Sequence, residues 1–110
     1  MALGSTYFIS VDGGGTQCRT RLVNKEGHIL ASLTGDAANI WSDFTGAMTR
    51  TCQLMDDTLR LAGLNAQART ETHAVLGLAG ANVRSARRQA QEWPQDFARW
   101  TVLSDVETAC

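Results

Sequence analysis

The chain has 110 residues, is 44% hydrophobic and 19% charged, and carries a formal net charge of −1. This suits one small globular domain and gives no global attraction to nucleic acid or an anionic membrane. No apolar run approaches the ~20 residues of a spanning helix, residues 1–6 lack the basic and apolar regions of a signal peptide, and the odd, scattered Cys18, Cys52 and Cys110 form no C-x-x-C pair. A cytoplasmic protein with reduced thiols is expected, with no nucleic-acid or membrane partner.

After a flexible N-terminus over residues 1–6, Tyr7 to Val11 reads as a strand. Asp12-Gly13-Gly14-Gly15-Thr16 follows, glycines between a carboxylate and a hydroxyl. The next segment, Gln17 to Asn24, has period two. Cys18, Thr20 and Leu22 share one face, and Gln17, Arg19, Arg21 and Val23 the other. The glycines therefore join two antiparallel strands. They do not lead into a helix, as a P-loop or dinucleotide fingerprint would, and no Gly-Lys-Ser/Thr or G-x-G-x-x-G is present. Two readings fit such a hairpin: an anion-binding nest of backbone N–H groups, or a plain glycine turn.

Asn24-Lys25-Glu26-Gly27 reads as a turn and His28 to Leu33 as a third strand of a meander. Thr34 to Asn39 is a polar loop. A helix is predicted from about Asp43 to Ala62, with Phe44, Ala47, Met48, Met55, Leu59 and Ala62 as its apolar stripe, Ser42 or Asp43 as N-cap and Gly63 as its end. Thr72 to Ala79 contains the unbroken apolar run Ala74 to Ala79, suited to a buried parallel strand. Gly80-Ala81-Asn82 turns into a second helix carrying Val83, Ala86, Ala90 and Trp93, which Pro94 ends. Its Arg84, Arg87 and Arg88 read as a solvated face. Arg99 to Leu103 reads as a fifth strand, and Ser104-Asp105-Val106-Glu107 resembles a capping box. The order is β-β-β-α-β-α-β, an α/β mixed sheet with helices packed on it. A chain that stops in the first turn of a helix reads as part of a larger protein.

Asp12-Gly13-Gly14-Gly15-Thr16 on a hairpin, in this layout, resembles the first phosphate loop of the sugar kinase, hsp70 and actin superfamily. DGGGTQCR (12–19), AANI (37–40), GLAGA (77–81) and LSDVETA (103–109) together resemble the BadF/BadG ATPase-like branch, and within it the glucosamine and N-acetylglucosamine kinases. The resemblance spans about Tyr7 to Cys110. It implies a ribonuclease-H-like (actin-like ATPase) fold of two lobes around a cleft. Residues 7–110 would be part of the N-terminal lobe, with the second phosphate loop and adenosine site elsewhere.

The resemblance also assigns roles. Gly13, Gly14, Gly15 and Thr16 would hold the phosphates of ATP, where a side chain at the glycines would intrude. Asp12 would help hold Mg²⁺, against a turn-forming Asp. Asp105 would be the base that deprotonates the sugar hydroxyl, against helix capping, which Ser104 can supply. Asn39 would orient the sugar, against a loop asparagine. Gly80 fits either a close approach to sugar or a turn. Gln17 departs from the Lys often found there, which weakens that phosphate contact. Cys18 reads as a small buried residue, and His28 and His73 as structural. The implied activity is ATP-dependent phosphorylation of an amino sugar by a full-length protein expected to be a homodimer. Alternatives are an ATPase that activates a dehydratase and a non-catalytic sugar-binding regulator. Alone, the chain is expected to be inactive, and to self-associate or be unstable through an uncovered sheet edge or face.

Overall fold

A computed structural model describes residues 6–14 and 16–104. The expected order is realised. β1 (Tyr7–Gly13), β2 (Gln17–Asn24) and β3 (Ile29–Asp36) precede α1 (Phe44–Leu61). A 3₁₀ helix (Ala66–Glu71) then leads into β4 (Thr72–Leu78), α2 (Arg84–Gln91) and β5 (Arg99–Ser104). The strands form one sheet in the order β3-β2-β1-β4-β5. β1 to β3 are antiparallel neighbours, whereas β1, β4 and β5 run parallel.

Alternation along each strand decides which face is buried. Ile9 and Val11 of β1 align with Leu22 and Thr20 of β2 and with Ala74 and Leu76 of β4, which align in turn with Trp100 and Val102 of β5. All are buried in the core. α1 lays Ala47, Met48, Thr51, Met55, Thr58 and Leu59 onto this face. α2 closes the β5 end with Ala86 and Ala90, and Trp100 Nε1 donates to the Ala90 carbonyl at 3.0 Å. The side-chain amide of Gln91 donates to the Trp100 carbonyl at 2.6 Å, and its oxygen accepts the Val102 N–H at 2.9 Å. One side chain thus satisfies part of the open β5 edge. On the opposite face Phe8, Ser10, Asp12, Arg19, Arg21 and Ser32 are exposed.

The long helix ends as its sequence predicts. The Asp43 side chain caps it by accepting the Gly46 N–H at 3.2 Å, and Gly46 leaves room for that carboxylate. At the other end Gly63 has φ +83°. Gly63 N–H donates to the Arg60 carbonyl and Leu64 N–H to the Leu59 carbonyl, a Schellman ending. Beneath α1 the hydroxyl of Thr58 donates to the Leu54 carbonyl and accepts from Thr20, so this buried polar pair is satisfied.

Several boundaries differ from expectation. β1 continues two residues past Val11 to Gly13, and β3 is Ile29–Asp36, taking in Thr34 to Asp36 of the expected loop. The second helix covers Arg84–Gln91 rather than reaching Val83 and Trp93. Val83 is its extended N-cap residue, and Trp93 packs edge-to-face on Phe44 from beyond its end. The 3₁₀ helix was not anticipated. Asn65 caps it, and the Thr72 hydroxyl donates to the Ala68 carbonyl. Arg69 then bridges Asp56 of α1 at 2.9 Å and Asp96 before β5 at 2.6 Å. Residues 1–5, Gly15 and residues 105–110 lie outside the described residues, and with them the capping box expected from Asp105 onward.

Candidate functional site at the ends of the parallel strands

The C-terminal ends of β1, β4 and β5 share one edge of the sheet because the three strands run parallel. Ligands in open α/β sheets characteristically bind beyond that edge. The glycine hairpin leaves β1 there, the turn at Gly80 leaves β4 there, and β5 ends there at Ser104.

Ala79 ties the first two of these to the Asn39 loop. Its N–H donates to the Gly13 carbonyl at 2.7 Å, and its carbonyl accepts the Ile40 N–H at 3.0 Å. Asn39 and Ala79 form an isolated parallel bridge. The pairing of Gln17 with Asp36 brings the start of the Asn39 loop beside the hairpin, and the Ala79 hydrogen bonds fix the loop on its β4 side. Sequence reading did not single out Ala79, since its contribution is entirely backbone.

The glycines have distinct reasons. A Cβ on Gly13 would meet Leu78 Cδ2 at 3.0 Å and the Gly77 carbonyl at 3.3 Å. Close packing of β1 on β4 therefore explains this glycine, where a clash with phosphate was expected. At Gly14 a Cβ would meet only the Gln17 carbonyl, at 3.4 Å, so space lies open beside the backbone. Neither has positive φ, which among the described residues occurs at Gly27, Gly63 and Gly80. Gly15 lies outside the described residues, and Thr16 is exposed beside it.

Asp12 is exposed and aligned with Arg19 across the hairpin. Both line a shallow recess with Ser10, Arg21, Ser32 and Val75 on the exposed sheet face. Arg19 Nε donates to Gln17 Oε1 at 3.0 Å, so Gln17 orients this guanidinium. No group of three or more His, Cys, Asp or Glu side chains converges among the described residues. Cys18 is buried as expected, and burial pushes its thiol up from the usual value. His73 is held below its usual value, first by burial and then by Arg99.

Asn39 is constrained on one side. Its Oδ1 accepts the N–H groups of Trp41 at 2.9 Å and Ser42 at 3.2 Å, an Asx turn. Its Nδ2 has no hydrogen bond among the described residues. Gly80, with φ +95°, lies against this turn. A Cβ there would come within 2.6 Å of Asn39 Oδ1 and 2.7 Å of Trp41 N. Gly80 therefore serves the Asn39 turn as well as its own. Asp105 lies outside the described residues. It follows Ser104, the last residue of β5.

No family model matches the chain. It is 29% identical over 104 residues to the glucosamine kinase GspK of Vibrio cholerae, covering 94% of this chain and 35% of that protein. It also superposes, with a TM-score of 0.73 and 29% identity, on a crystal structure from Chromobacterium violaceum provisionally named an N-acetylglucosamine kinase, covering 91% of this chain and 35% of the other. The likeness is to amino-sugar kinases. The mixed sheet with helices packed on it agrees with an actin-like ATPase lobe, and the chain spans about a third (35%) of these relatives' length. No helix among the described residues is long and apolar enough to cross a membrane.

Proposed function

We propose that this chain is the N-terminal part of an ATP-dependent kinase that phosphorylates glucosamine or N-acetylglucosamine. The supporting observation is the Ala79 junction. It holds a glycine hairpin and an asparagine turn side by side at the edge where β5 ends at Ser104, one residue before Asp105 in the sequence. The likeness to two proteins named as amino-sugar kinases supplies the substrate class.

The hairpin residues Gly14, Gly15 and Thr16 would receive phosphate, with the open space beside Gly14 admitting an oxygen close to backbone. ATP would supply the transferred phosphoryl group, and Mg²⁺ would neutralise its charge. Asp12, which belongs to no group of three or more possible ligands among the described residues, would reach the ion through water, as a cation that keeps much of its hydration shell permits. Asn39 Nδ2 would donate to a sugar oxygen while its Oδ1 stays committed to the turn. Asp105 would accept the proton of the attacking hydroxyl as its oxygen bonds to the γ-phosphorus and the bond to the leaving diphosphate breaks. The rest of the protein would complete the ATP site, and lobe closure would exclude water as a competing acceptor.

The test is a kinase assay of the full-length polypeptide with ATP and each amino sugar, wild type against Asp105→Asn. Loss of roughly 10²- to 10⁴-fold in kcat is expected for a general base. Near-wild-type turnover by the variant would remove Asp105 from that role. Absence of phosphorylated sugar from the wild type would overturn the kinase reading.

A further inference from the structure

Trp41 is 64% exposed, the most exposed of the large hydrophobic side chains in the described residues. Its backbone is nevertheless closely fixed. The Asn39 side chain accepts its N–H, the preceding Ile40 N–H is bonded to Ala79, and Gly80 packs against its backbone N and its Cβ. The other two tryptophans have aromatic neighbours, Trp93 on Phe44 and Trp100 on Phe97. Trp41 has neither ring nor hydrogen-bond partner for its indole among the described residues. A large apolar ring left in water on a fixed backbone contributes little to the fold. It offers instead a flat, amphipathic surface whose position is set in advance.

We propose that the Trp41 indole is a stacking platform for the apolar face of the amino-sugar ring, an inference that rests on the sugar-kinase reading above. A pyranose presents polar hydroxyls around its rim and C–H groups on its faces. The indole face carries the negative end of its quadrupole and attracts the slightly positive hydrogens of such C–H groups. Asn39 Nδ2, an unpaired donor two residues away on the same turn, would hold the polar rim. One rigid turn would thus supply both contacts, and the ring would make Trp41 a determinant of which sugars are accepted. Burial of the indole against the sugar would also shield the acceptor hydroxyl from water.

The experiment is saturation-transfer NMR on the full-length polypeptide with N-acetylglucosamine, together with ¹H–¹⁵N spectra of wild type, Trp41→Phe and Trp41→Ala. Saturating the aromatic protons of the wild type should pass magnetisation to the C–H protons of one ring face of the sugar more than to its acetyl methyl group. Trp41→Ala should bind about tenfold more weakly, and Trp41→Phe should keep most of the affinity. The amide signals of Ala79 and Gly80 report whether each variant retains its fold. Equal binding by wild type and a folded Trp41→Ala, with the Asn39 side-chain signal still shifted by sugar, would overturn the role of Trp41 and leave the sugar site standing. Binding without face-selective transfer in the wild type would overturn stacking even if Trp41→Ala did not fold. No binding by the wild type would overturn the sugar reading and this inference together.

Discussion

The two faces of the sheet are made by the same strands and do opposite things. Ile9, Val11, Leu22, Leu76 and Val102 bury one face beneath the helices. One residue along each of the first strands, Ser10, Asp12, Arg19, Arg21 and Ser32 stay in water on the other. Period-two geometry makes both arrangements possible in one chain. The buried face determines whether the lobe exists, while the open face and the edge above it can vary without unfolding it. Substitutions should therefore separate sharply by face.

The largest effect is expected at the centre of the buried face. Leu76 is fully buried, and Leu76→Ala should lower unfolding free energy by about 2–5 kcal/mol in a denaturant titration. A loss well under that range would mean the helices cover the face less tightly than the burial shows. Next comes Gly80→Ala at the edge. It forces a side chain into positive φ and onto the Asn39 turn, at a cost of about 1–3 kcal/mol. It should also shift the Asn39 side-chain NMR signals, which distinguishes it from a purely packing change. Thr58→Val should cost about 1 kcal/mol by removing the buried acceptor of Thr20, since Thr20 retains only a 3.5 Å contact to the Leu33 carbonyl.

A smaller effect belongs to pH. The hydrogen bond from Arg69 holds the Asp96 carboxyl below its usual value. Its contribution is therefore fully present above the unfolded carboxylate pKa of about 4 and is lost as pH falls through the lower folded value. Thermal melts of Arg69→Met should show a shallower loss of stability in that acid window than wild type. Because Asp96 is largely exposed, the difference should be modest and should shrink further in high salt. Smallest of all, Ser32→Ala on the open face should change stability by no more than about 0.5 kcal/mol. A larger change would show that this face carries structural weight.

The sequence made the sheet legible where side chains alternate. Cys18, Thr20 and Leu22 are buried, and Gln17, Arg19 and Arg21 are exposed, as period two requires. Val23 departs from that pattern and is half-buried, next to the irregularity at Leu22/Val23. The helix caps were legible because Asp43 and Gly63 act through chemistry of their own. The 3₁₀ helix was not, because six residues carry too little periodicity and its order comes from Asn65, Thr72 and the distant Asp56 and Asp96. At the candidate site the glycine hairpin and Asn39 announced themselves by residue type. The Ala79 junction did not, since backbone hydrogen bonds leave no mark on composition. Gly13 illustrates the converse: a glycine in a phosphate-loop pattern whose immediate steric reason is a neighbouring leucine.

The Ala79 junction also bears on the order in which the lobe assembles. β1 and β2 are joined by a short turn and can meet early, at little cost in chain entropy. The amide of Ala79 reaches Gly13 only after the whole Asn39 loop, α1 and β4 have been brought into place. The edge that would hold ligand is then expected among the later parts to close. Exchange of the Ala79 amide with deuterium would time that closure, and a ligand spanning the hairpin and the Asn39 turn would slow it.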